Sequence, residues 1–141
     1  MSAAITRAAR AVRIHVPVAP ETLQAVLAGN SAAMEADPTL GAMLRIIREQ
    51  PALGDFGLYD GVAEIGLGWE TFTPAADAAP TLGAPGKTAF SPTVTLTTWI
   101  ASSATEKSVD DALAALMAAH PWEVPVIEVT ESRLVVRPPA P

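Results

Sequence analysis

The chain has 141 residues, 50% of them hydrophobic and 17% charged, which is enough for one domain with a real core and too apolar for general disorder. Fifteen acidic residues against nine scattered basic ones leave a net charge of -6, which argues against a phosphate-tracking nucleic-acid surface. The lack of cysteine excludes disulfides, thiolate metal sites and thiol nucleophiles, and the apolar runs are too broken by Gly, Pro and charge to span a membrane.

Residues 1–11, "MSAAITRAARA", are small and mildly basic, without the apolar block of a signal peptide. We read them as a flexible lead-in to a cytoplasmic protein. "VRIHVPV" alternates Val12, Ile14, Val16 and Val18 against Arg13, His15 and Pro17, a strand with one apolar face. "APETLQAVLAGN" follows as a helix, with Pro20 at its start, Gly29-Asn30 at its stop and Leu23, Val26 and Leu27 as its stripe. Residues of about 30–50 continue as more helix, restarted at Asp37-Pro38, with Leu40, Met43, Leu44 and Ile47 at helical spacing.

"VAEIGLGWETFTP" alternates again. Ala63, Ile65, Leu67 and Trp69 share one side, and Gly66 and Gly68 on the other suggest a bulge or a close backbone approach. A Pro/Gly-rich loop of about 73–92 is expected to be mobile. "TVTLTTWI" is a β-branched strand with Val94, Leu96 and Ile100 on one face and Trp99 on the other. "SVDDALAALMAAH" is the clearest helix, with Ser108 as the expected N-cap and Asp110 and Asp111 in its first turn. "VPVIEVTE" reads as a last core strand, "RLVVR" as an extra C-terminal edge strand, and 138–141 as a disordered tail.

The order strand, helix, strand, strand, helix, strand is the split βαβ, ferredoxin-like pattern: α+β, an antiparallel sheet with helices on one face, in a single domain of 12–137. The first and last strands are both expected to be central. The bare face would carry Trp99 and Trp69 and meet another subunit.

Two segments carry a family resemblance. "AALMAAHPWEVPVIEV" resembles the "HPYE" junction of CutA proteins and of the inserted domain of YqfO-type dimetal proteins. "GDFGLYDGVAEIGLGWETFTP" is similar to the YqfO-type "G-x-I-G-x-Y…G-x-G-T-F-x-P" segment, with Gly57, Tyr59, Gly68, Thr71, Phe72 and Pro74 at matching spacing. The match is specific from about Gly54 onward. Val62 stands where that pattern has a cysteine, and Trp122 where it has a tyrosine. The resemblance implies a PII/CutA-type module, assembled as a homotrimer. The chain is too short for the flanking dimetal lobes, so a stand-alone module without their hydrolase activity is expected.

Only two histidines are present, and His120 sits at the HPWE junction. Its bland role is to cap the helix end, with Trp122 as packing. Its functional role is to face, with Glu123, a cleft near Tyr59 and Trp99, where Tyr59, Trp99, His120, Trp122 and Glu123 hold a small ligand. Imidazole and carboxylate also suit a divalent metal ion. Two ligands are too few, so His15, Glu64 or a neighbouring subunit would complete a His120–Glu123 set. "GAPGKT" (Gly83 to Thr88) ends like a phosphate-binding loop but has two residues between its glycines where four are required. The serines lack a recognisable His and Asp partner order, so no enzyme is expected. The expected function is a small-ligand or metal-binding regulatory module. The alternative is a purely structural or protein-interaction module, with metal-assisted hydrolysis a third reading.

Overall fold

The computed structural model describes residues 3–138. It contains β1 (Ile5–Pro17), α1 (Pro20–Leu27), α2 (Ala32–Ala36), α3 (Pro38–Glu49), β2 (Ala63–Phe72), β3 (Ala89–Ala101), α4 (Glu106–Ala119) and β4 (Ile127–Val136). The strands form one antiparallel sheet in the order β2-β3-β1-β4. This is the ferredoxin-like α+β arrangement expected from the sequence, with α2 and α3 as the helical insertion. Among the described residues, no helix is long and apolar enough to cross a membrane.

Alternation explains which face is covered. Val12, Ile14 and Val16 of β1 stand in register with Thr98, Leu96 and Val94 of β3, and all six are essentially buried. Helices α1, α3 and α4 add Leu23, then Leu40, Met43, Leu44 and Ile47, then Val109, Ala112 and Leu116 to that core. The buried Thr98 is tolerated because its hydroxyl donates to the Val62 carbonyl at 2.8 Å.

Asp37 joins the insertion to the rest. One carboxylate oxygen accepts from the Thr39 and Leu40 amides at the start of α3, and the other from the Ala19 amide and the Thr22 hydroxyl of α1. An N-cap that also holds a second helix explains how a charged side chain is 4% exposed.

Several expectations are corrected. Residues 1–11 are not all lead-in, since β1 starts at Ile5 and pairs from there with β4, Ile5 opposite Val136. Cross-strand hydrogen bonding, invisible to local periodicity, extends the strand. For the same reason Arg133 to Val136 continue β4 and form no separate strand, while residues 139–141 of the tail lie outside the described residues. The last strand is an edge, not a central strand.

The β2–β3 register runs without interruption past Gly66 and Gly68, with no bulge, and only Thr95 comes within 4 Å of a Cβ built at Gly66. Helix α4 is capped by Thr105, whose hydroxyl accepts from the Ser108 amide at 3.1 Å, so the N-cap is three residues before the expected Ser108. Trp69 and Trp99 lie on opposite faces. Trp69 pairs with Pro92 on the helix side, and Trp99 pairs with Ala11 on the open side. The open face therefore presents mainly Arg13, His15, Thr95, Thr97 and Glu128, and not the expected apolar surface.

Candidate functional site

The HPWE junction folds over one end of the sheet. After α4 the backbone turns extended at His120, ahead of Pro121, which cannot continue a helix. The His120 ring is 7% exposed, and both its nitrogens are engaged. The Trp122 amide donates to Nδ1 at 3.2 Å, so the ring proton sits on Nε2, which donates to the His15 carbonyl at 2.7 Å. His120 thus pins the helix end to β1 through the backbone.

Glu123 and the Pro121 carbonyl hold the long loop. The Ala79 amide donates to Glu123 Oε1 at 2.7 Å, and the Thr81 hydroxyl donates to the Pro121 carbonyl at 2.9 Å. Trp122 meets Phe72 edge to face with centroids 5.1 Å apart. The loop base is closed by the Gly86 amide donating to the Pro74 carbonyl at 2.7 Å and by a 3.0 Å hydroxyl contact between Thr73 and Thr88. The long loop is therefore tied at several points along its length.

Between loop and junction lies a cleft of about 270 Å³. Phe72, Pro74, Pro80, Leu82, Trp122 and Val124 form its apolar walls, and Glu70 and Glu123 bring two carboxylates. Among the described residues, no lysine, arginine or histidine lines it. Glu70 links the cleft to the open face of the sheet. Its Oε2 is 3.6 Å from His15 Nδ1, while its Oε1 and both ring nitrogens of His15 are buried without a hydrogen-bond partner. Buried polar atoms left without partners are costly and uncommon.

The residues singled out from sequence divide into two groups. His120, Trp122 and Glu123 share the junction, and His15 lies beside it through its carbonyl. Trp99 stands in register with Ala11, four residues along β1 from His15, or about 13 Å away. There it packs edge to face on Phe56 at 5.8 Å, and the Arg7 guanidinium lies over the Phe56 ring. Tyr59, 73% exposed, belongs to the same loop as Phe56, through the Phe56 amide that donates to its carbonyl.

The expected grouping of Tyr59 and Trp99 with His120 is not formed within one chain. Nor does any group of three or more His, Asp or Glu residues among the described residues converge to hold a metal ion, and Glu64 stays exposed on β2. Glu70 went unnoticed in the sequence. Its signal was the alternation Glu64, Gly66, Gly68, Glu70, Phe72, which puts it on the same face as Phe72 and His15.

No protein-family model matches the chain, and no curated protein matches it. Among solved structures, the fold is similar to that of a Bacillus cereus protein described as related to NIF3. The TM-score is 0.60 and the identity 16%, over 91% of this chain and 26% of that one. This chain thus spans about a quarter of that protein's length, and at this identity the likeness establishes the fold.

Proposed function

We propose that the protein is a small-ligand-binding module of PII/CutA-like type, assembled as a homotrimer, with its site in the cleft between the long loop and the HPWE junction. The observation that carries this reading is a concave, mostly apolar pocket with two carboxylates, Glu70 and Glu123, and the hydroxyl residues Thr73 and Thr81 in its lining. The loop is tied to the junction by Glu123 and Thr81, so occupancy of the cleft has a direct path to the loop's position. Binding without chemistry fits the engagement of His120, whose nitrogens are both spent on backbone groups.

A divalent metal ion is the second reading, supported by the unpartnered nitrogens of His15 beside Glu70. Two donors require a third from another subunit. Native mass spectrometry of protein purified without added metal, then with zinc, tests it: a bound zinc lost in His15→Ala supports the metal, and no added mass refutes it.

The small-ligand reading is tested by a fragment screen that follows the Trp122 indole resonance. Fragments that shift this signal saturably, and no longer bind after Leu82→Asp, support the cleft. If no fragment moves the signal, the junction is a structural device only.

A further inference from the structure

We infer that the cleft takes an organic cation: a protonated amine on a short arm carrying a single apolar ring. The inference rests on the ligand-binding reading above and adds the ligand's class. Among the described residues, the cleft's charged groups are Glu70 and Glu123. Glu123 has Oε1 engaged by the Ala79 amide. Glu70 has Oε1 buried and without a donor, and its other oxygen meets His15 Nδ1 only at 3.6 Å, beyond hydrogen-bond length, so Glu70 gives the cleft negative charge and not an exposed acceptor.

An anionic ligand opposes two carboxylates, and a neutral apolar one leaves their charge uncompensated. An ammonium group brings the opposite charge and hydrogen-bond donors, and Trp122 puts an aromatic ring in the same wall. The apolar walls of Phe72, Pro80, Leu82 and Trp122 then take the ring. At about 270 Å³ the space is just under the roughly 300 Å³ at which pockets for larger ligands begin, which limits the ligand to one ring and a short arm.

The test uses the full chain, labelled with nitrogen-15, and three probes of matched shape: 2-phenylethylamine, 2-phenylethanol and 3-phenylpropionate. The chain has three tryptophans, and comparison with Trp122→Phe identifies the relevant indole signal. The amine is expected to shift that signal saturably, with an affinity about tenfold above that of the alcohol, the value of one charge-assisted hydrogen bond. The propionate is expected to leave the signal in place. Glu70→Gln should bring the amine down to the alcohol's affinity, and Glu123→Gln should weaken it in the same direction, each with the remaining spectrum unchanged.

Equal affinity for amine and alcohol overturns the cation while leaving the ligand cleft standing. Preference for the propionate does the same. A Trp122 signal that responds to none of the three refutes both the cation and the cleft.

Discussion

Two hydrogen bonds set what His120 does. The ring fills the gap between the His15 carbonyl and the Trp122 amide. His120→Ala removes one acceptor and one donor from a buried position, at a cost of about 2–4 kcal/mol for two groups left unsatisfied. Urea unfolding should show a lower midpoint with an unchanged slope, the mark of a stability effect without change in the surface exposed. His120→Asn, able to keep one of the two bonds, should lose less. A His120→Ala protein as stable as the parent would mean the ring contributes nothing to the fold. Glu123 is different in kind: an exposed carboxylate holding one loop amide, whose loss is expected to loosen the loop more than the core.

Helix boundaries follow the same logic one scale up. Thr105 caps α4, and the Ser108 amide is the group it satisfies, so Thr105→Ala is expected to cost about 1 kcal/mol and Ser108→Ala only a few tenths. Thermal melts of the two variants decide between the caps, and the reverse ranking would place the helix start at Ser108. Gly41 inverts a usual rule. Gly→Ala inside a helix ordinarily stabilises by up to about 1 kcal/mol, but a Cβ here would stand 2.5 Å from the Glu35 carbonyl. Backbone cannot give way as a flexible side chain does, so Gly41→Ala is expected to destabilise by about 1–3 kcal/mol, measured by the same melts.

Such elements were legible where their cause is local. The alternation of Val12, Ile14 and Val16 marks β1, and the apolar spacing of Leu40 to Ile47 marks α3. Residues 5–11 were not legible, because after Ile5 only Thr, Ala and Arg follow, with no large apolar face, and the strand exists through pairing with β4. Ser108 looked like a cap because the first apolar residue follows it, while the true cap lies one turn earlier, before the polar residues Glu106 and Lys107.

At the scale of the whole molecule, the junction was legible as a place and not as an arrangement. HPWE named the residues that meet the loop, but Glu70 and Phe72 come to it across some fifty residues of chain, a relation set by the strand order. The face of Trp69 depended on register in the same way, and it changes where another subunit would sit. On the helix side of β2 and β3, Ile65, Leu67, Trp69 and Phe90 are 37%, 41%, 64% and 69% exposed, because the helices cover the middle of the sheet and leave its β2 edge bare. Three large apolar side chains along the edge strand β2, with Phe90 beside them on β3, form the surface a second copy would cover in the proposed trimer. Native mass spectrometry at about micromolar concentration should then show a trimer for the parent and a monomer for Leu67→Asp combined with Trp69→Glu. Both side chains are substantially exposed, so the double variant should keep its fold, and circular dichroism checks that it does. A trimer that survives the double variant would move the contact to the open face around Trp99 and Phe56, where Trp99→Ala becomes the deciding substitution. A parent that is monomeric would end the case for assembly while leaving the cleft, which one chain builds from its own loop, junction and sheet.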